Sequence, residues 1–203
     1  MPDALTFLLA TIATPTGELA VVVDEELRLR AVHWTDGGDP TRRLLERHYG
    51  AEPFGLRRSR SASPAAQALR AYFAGDLAAI DRLPVETRGT AFQRSVWAAL
   101  RQVRCGTTLS YGDIARKIGR PAAVRAVGLA NHANPVGIVV PCHRVIGRDG
   151  RLTGYGGGLE RKRWLLAHEG VASDATTLEL FRAGGRSDSG AARRKSGIPR
   201  FRS

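Results

Sequence analysis

Four residues in this chain are of types that a packing core does not need side by side: Pro141-Cys142-His143-Arg144. They sit inside an apolar run that starts Ile138-Val139-Val140 and resumes at Val145-Ile146. A cysteine thiolate is a nucleophile, a neighbouring imidazole can take its proton, and nearby positive charge favours the ionised sulfur. Taken alone, Cys142 reads as a small buried hydrophobe, because free cysteine is among the most buried residue types. Its neighbours weigh against that reading. The apolar run has the look of a buried strand, but Pro141 cannot donate to a sheet ladder, so the chain must bulge or turn just before the thiol. The other cysteine, Cys105, has no such company and reads as core filler. Two cysteines make no disulfide framework and suit a reducing cytosol, and no Cys/His spacing suggests a metal site.

Charge points to a partner. The chain has 203 residues and a net charge of +12, unevenly placed. Residues 1–87 carry 10 Arg/Lys against 12 Asp/Glu, residues 88–170 carry 14 against 4, and residues 171–203 carry 7 against 3. The positive excess thus lies in the second half and the tail, and most of it is arginine, which grips phosphate in a bidentate fork. A solvated basic surface would give the same count; a polyanion such as DNA is the alternative with chemical content. No run approaches a membrane span, and the N-terminus lacks the layout of a signal peptide, so the expected location is the cytoplasm.

The elements that must position the thiol follow from patterning. Leu5–Ala13, Leu19–Val23 and Leu27–Trp34 predict three antiparallel strands, with Thr14-Pro15-Thr16-Gly17 as a turn. Pro40–Tyr49 predicts a short helix, and residues 50–62 read as an irregular connection. Ser63-Pro64 opens a better helix, with Leu69, Tyr72 and Phe73 on one face; Leu83-Pro84-Val85 reads as an edge strand. Thr90–Gln93 and Ser110–Asp113 are capping-box signals for two further helices. Gly119-Arg120-Pro121 is a turn, and Ala122–Asn131 a second helix rich in small residues. Helix, glycine turn, helix is the helix-turn-helix plan, although such pairs are common in ordinary cores. Asn134-Pro135 is a turn, residues 147–158 a glycine-rich loop, and Leu159–His168 a last helix.

The separated motifs together resemble the O6-alkylguanine-DNA alkyltransferases, also called methylated-DNA–protein-cysteine methyltransferases. Pro141-Cys142-His143-Arg144-Val145 carries the likeness, with the helix pair over 111–131 before it and Gly154-Tyr155-Gly156-Gly157 and Ala167-His168-Glu169-Gly170 after it. The resemblance spans about residues 5–170 and is strongest from Gly89 onward. It implies an α/β (α+β) fold with a supporting sheet-plus-helix domain over 1–87 and a mostly helical DNA-binding and catalytic domain over 88–170; residues 171–203 fall outside it and read from their polar, Arg/Ser/Gly-rich, non-periodic composition as a basic, disordered tail. It implies transfer of an alkyl group from O6-alkylguanine, and from O4-alkylthymine, in double-stranded DNA to Cys142, once per molecule, with no cofactor and no metal, by a monomer that does not engage membranes. His143 would activate Cys142 through a water, Glu169 would orient His143, and the Tyr111 hydroxyl would stabilise the leaving base. Asn134 would tie the helix pair to the cysteine segment. Arg125 would fill the space of the extruded base, with Ala126, Tyr111 and Arg144 also at the DNA. Backbone groups of Val145, Tyr155 and Gly156 would line the base pocket.

The sequence departs from the pattern in two places. The zinc ligands that vertebrate members carry in the first domain are missing, and Gly137 stands where those members have proline, which leaves the tolerance of bulky adducts open. Two readings from other classes remain. A non-catalytic DNA-binding module would not need Cys142, His143 and Glu169 together, and a cysteine hydrolase would need an oxyanion donor that the sequence does not display.

Overall fold

The computed structural model describes residues 5–36, 40–50, 53–59 and 63–171. All but the first residue of the basic tail therefore lies outside the described residues. The first half builds a four-stranded sheet in the order β3-β2-β1-β4, from β1 (Leu5–Thr14), β2 (Gly17–Asp24), β3 (Leu29–Trp34) and β4 (Phe54–Arg58). The β1–β2 hairpin turns through Pro15-Thr16, with Gly17 at φ +115°. β4 corrects the expectation of an irregular connection, since it pairs parallel to β1 with Leu5 opposite Phe54. Arg57 and Arg58 hide it from a hydrophobicity scan, yet Phe54 and Leu56 alternate onto one face, against Phe7 and Tyr49.

Both faces of the sheet are covered, which is why β2 reads as an unbroken apolar run. One face (Phe7, Leu9, Ala20, Val22, Ala31) packs on α1 (Thr41–Tyr49) through Leu45 and Tyr49. The other (Ile12, Leu19, Val21, Val23, Val32) shares a core with α2 (Pro64–Phe73) and with Val96, Leu100, Val127 and Leu165 of the second half. One continuous core therefore joins the two halves of the chain.

The capping signals were legible. Ser63 accepts from the Ala66 N–H at 3.2 Å, with Pro64 at the first position of α2. Reciprocal boxes open α3 (Ala91–Leu100; Thr90 with Gln93) and α4 (Tyr111–Lys117; Ser110 with Asp113). The next helix, α5, spans Val124–His132 and begins two residues later than its pattern, because no side chain caps it at Ala123. The last, α6, spans Leu159–His168 as expected. A two-strand parallel pair, β5 (Leu109–Ser110) with β6 (Val145–Ile146), links the start of α4 to the segment after the thiol.

The strand suggested by Ile138-Val139-Val140 does not form. The segment coils instead, and its N–H groups turn back on themselves. Val139 N–H donates to Gly137 O at 2.8 Å across Ile138, whose φ is +71°. That is a γ-turn of the rare, left-handed kind, strained for a β-branched residue. Cys142 N–H donates to Val140 O at 2.8 Å across Pro141, whose φ −81° and ψ 64° make the commoner inverse γ-turn. A single 3-10 turn, Cys142–Arg144, follows. The coiled segment is moored to the sheet. Val32 N–H donates to Pro135 O at 2.9 Å, and Gly137 N–H to Val32 O at 3.0 Å. Residues 84–86 make a similar clamp on Leu29, a single bridge at Val85 rather than the edge strand expected there. Gly137 thereby gains a physical reason. A proline there would forfeit the bond to Val32, and even a Cβ would lie 3.1 Å from Val32 O.

Candidate active site

The thiol of Cys142 is 6% exposed and sits at the base of a cavity of about 510 Å³. Asn134 Nδ2 donates to Cys142 Sγ at 3.1 Å and to Val140 O at 2.8 Å, while Asn134 Oδ1 accepts from the Val136 N–H at 3.0 Å. One amide thus fixes the shape of the 134–142 coil and touches the sulfur. Burial pushes the Cys142 thiol up, and the Asn134 contact and the Lys162 charge partly oppose that. The resting sulfur is therefore a protonated thiol that needs a base, rather than a thiolate made by adjacent positive charge.

An imidazole stands next to it. His143 is fully buried, and its Nε2 meets Glu169 Oε1 at 2.9 Å. Its Nδ1 is also buried and meets no protein partner. Burial pulls the imidazole below its ordinary range, although the Glu169 carboxylate works against this, so neutral His143 is the form ready to accept a proton. Glu169 is no solvated helix end. It is 4% exposed and is held far below the usual carboxylate range by His143 and Arg144, against the cost of its burial.

Arg144 is a correction. Expected at the DNA, it is 4% exposed and points inward. Its Nε donates to Glu169 Oε2 at 2.8 Å, its Nη2 to Oε1 at 2.8 Å, and its Nη1 to Val103 O at 2.6 Å. A guanidinium so placed neutralises the buried carboxylate and is too deeply buried to meet a phosphate.

Lys162 is the residue that sequence reading missed. It projects from α6 with no exposed surface, and its Nζ donates to Val145 O at 2.5 Å and to Thr153 O at 3.0 Å. Burial lowers it to about 8, and a negative sulfur on Cys142 would raise it. Lys162 draws the glycine-rich loop onto β6 and places a cation behind the thiol. The signal was present: Lys162, flanked by arginines, stands three and four residues before Leu165 and Leu166 and so on the apolar face of the helix. Val145, expected in the pocket wall, is fully buried and does not line the cavity. Tyr155, Gly156 and Gly157 do, together with Trp34, Asn134 and Gly137. Two further polar atoms beside the thiol, Tyr155 OH and Asn131 Oδ1, are buried without a protein partner. Cys105 is only partly buried, not core filler.

Tyr111 opens α4 in a neighbouring cleft of about 540 Å³, with Ser110, Arg116, Val124 and Arg148. Its hydroxyl lies 3.0 Å from Thr153 Oγ1, so the loop that Lys162 holds also reaches Tyr111. Gly128 of α5 lies over the Tyr111 ring, where an added Cβ would make van der Waals contact at 3.9 Å. Beyond it α5 is open to solvent: Arg125 and Ala126 are exposed, and Leu129 is 74% exposed. The helix is anchored from behind by Trp97, whose Nε1 donates to Ala130 O at 2.8 Å.

Cys142 in its cavity, His143 and Glu169 stand beside an exposed helix, and the chain that builds them is similar to known proteins over both of its halves. Residues 8–87 match the 6-O-methylguanine DNA methyltransferase ribonuclease-like domain, and residues 91–171 match the DNA binding domain of the same family. The methylated-DNA–protein-cysteine methyltransferase of Shigella flexneri is 53% identical over 161 residues, 78% of this chain and 93% of that protein. This chain belongs to the 6-O-methylguanine DNA methyltransferase family.

Solved family structures agree with the fold. The crystal structure of Mycobacterium tuberculosis O6-methylguanine methyltransferase matches at TM-score 0.66 and 40% identity, covering 85% of this chain and 99% of that one. A structure of the M. tuberculosis OGT in complex with DNA matches at TM-score 0.64 and 38% identity, covering 86% and 99%. The family's small sheet-plus-helix part and its helix-turn-helix part are thus both present in this methyltransferase. Among the described residues, no helix is long and apolar enough to cross a membrane.

Proposed function

We propose that this protein repairs O6-alkylguanine in double-stranded DNA by moving the alkyl group directly, once and irreversibly, onto Cys142. The observation that carries this reading is the cradle of the sulfur: a buried thiol touched by Asn134, next to a buried His143 whose far nitrogen is bound to Glu169. That is the nucleophile–base–orienter arrangement that covalent catalysis needs. In the reaction, the Cys142 proton passes through a water to His143 Nδ1, and the sulfur attacks the alkyl carbon in line. The C–S bond forms as the C–O6 bond breaks, and the electron pair stays with the purine. The Tyr111 hydroxyl donates to the departing base, which water then protonates.

An O6 inside the stack cannot be approached in line, so the nucleotide must leave the duplex first. Arg125 fills the gap, and the small residues Ala126 and Gly128 let the α5 backbone come close to the groove. The base enters the cavity between Tyr155-Gly156 and Asn134, where Tyr155 OH and Asn131 Oδ1 offer unused polar atoms. O4-alkylthymine, smaller and with its alkyl oxygen similarly placed, fits the same chemistry. We read residues 1–87 as the support, residues 88–170 as the reactive part, and the whole as a cytoplasmic monomer. Incubation with methylated duplex tests the reading. The intact mass should rise by one methylene, about 14 Da, on the Cys142 peptide, and stop at one per chain. Sustained turnover, or label on Cys105, would overturn it.

A further inference from the structure

Glu169 Oε1 is more crowded than a base-orienting carboxylate requires. It accepts from His143 Nε2 at 2.9 Å, from Arg144 Nη2 at 2.8 Å, and from the Tyr72 hydroxyl at 2.7 Å. The third donor comes from α2, 97 residues away in sequence and in the other half of the molecule. Tyr72 is fully buried, and its place is fixed from several sides. His168 Nε2 binds the Tyr72 carbonyl at 2.7 Å, and the Tyr72 ring meets Phe73 and His168 edge-on at 5.3 and 5.1 Å. Packing alone would be served as well by phenylalanine; the hydroxyl is there for its acceptor.

We propose that Tyr72 is a positioning residue for alkyl transfer, holding Glu169 from the amino-terminal half so that the carboxylate orients His143 without locking it in the protonated form. The proposal rests on the repair reading above. Its physics is competition for one oxygen. Each donor on Oε1 draws off part of the negative charge that would otherwise stabilise a protonated His143. With Tyr72 in place, His143 stays neutral and free to accept the Cys142 proton. The charged and titratable groups around the pair are Cys142 and Arg144 on the same turn, Tyr72 on α2, Cys105 after α3, Lys162 on α6, and Tyr155 of the glycine-rich loop, whose ring meets that of His143 edge-on at 6.4 Å. A change at position 72 leaves all the others in place.

The test is single-turnover transfer to Cys142 in the full chain, followed across pH for wild type, Tyr72→Phe and Tyr49→Phe. Tyr49 supplies a control, because its buried hydroxyl accepts from Arg30 at 3.2 Å, far from the thiol. Tyr72→Phe should slow transfer about tenfold near neutral pH, the kinetic size of one hydrogen bond to an ionised group. Its acid limb should move to higher pH, because Glu169 then pulls harder on a His143 proton. A fluorinated tyrosine at position 72, a stronger donor, should move the limb the other way. Tyr49→Phe should keep the wild-type rate and profile. The His143 titration, followed by NMR, should rise in Tyr72→Phe, and that readout does not depend on any transfer to Cys142. An unmoved acid limb together with an unmoved His143 titration would overturn the proposal, even if the rate fell. Absence of alkyl on wild-type Cys142 would instead sink the repair reading.

Discussion

The segment around Cys142 and the helix α5 are neighbours in sequence and opposites in construction. Cys142, His143, Arg144 and Glu169 are all 6% exposed or less, and the ions among them are saturated with partners. On α5, Arg125 and Ala126 face solvent and Leu129 is 74% exposed. The reactive region is built like a core, with its geometry fixed before any substrate arrives. Helix α5 is bare on its outer side, and in the proposed DNA-reading role its contribution begins only when a duplex covers it. Reactivity here is a property of buried order, and recognition a property of an unfinished surface. Substitutions should therefore separate into those that damage the folded protein and those that damage only the complex.

The largest expected effect is Cys142→Ser. It should abolish transfer and still bind lesion-containing duplex, because the hydroxyl stays protonated near neutral pH and is the poorer nucleophile. Measurable alkylation of the serine would break the idea that the buried cradle acts through a thiolate. Arg144→Met comes next, and it acts on stability. Leaving Glu169 buried without its guanidinium should cost about 3–5 kcal/mol in denaturant unfolding. The deficit should narrow in acid. Glu169 is ionised more easily folded than unfolded, so its contribution is complete above the unfolded glutamate range, about 4.3, and fades as pH falls below it. If Arg144→Met unfolds like wild type but loses DNA affinity, the inward assignment of this arginine is wrong.

Tyr111→Phe should reduce transfer on the order of 10²-fold, as removal of one transition-state donor does, with little change in binding or stability. Arg125→Ala should leave unfolding within about 0.5 kcal/mol of wild type, since nothing buried depends on it. It should slow repair in duplex more than reaction with the free alkylated base, which has no stack to leave; equal slowing of both would remove the gap-filling role. The smallest effect is spread over the whole basic face. Log affinity for undamaged duplex should fall with log salt at roughly −0.9 per phosphate neutralised. Lys162 and Arg144 should add nothing to that slope, because both are buried.

The two regions also differed in how far the sequence revealed them. The helix ends were readable because their determinants are local: Ser63-Pro64, Thr90 with Gln93 and Ser110 with Asp113 all formed the caps their spacing predicts. Cys142 and His143 were readable because their types are out of place in an apolar run. Patterning failed where a nonlocal partner decides the conformation. Ile138-Val139-Val140 has strand propensity, but Asn134 and the β3 edge hold it in a coil. Arg144 was expected at the DNA because the carboxylate it neutralises is 25 residues away, out of reach of any local pattern. Lys162 lay in a run of arginines, and only the fold shows which of those cations is inside.

The mooring of residues 134–137 along β3 has a consequence for the order in which the chain is made. Without it, and without the bridge at Val85, β3 would be an edge of the sheet with its N–H and C=O groups open to any passing strand. The sheet leaves the ribosome long before residue 134 does. During that interval the nascent chain carries a sticky border that its own later residues must seal. Chains interrupted between the sheet and Asn134 should aggregate, whereas completed chains should melt in one cooperative step. The segment that presents the thiol is therefore also the stopper that keeps β3 from pairing with other molecules.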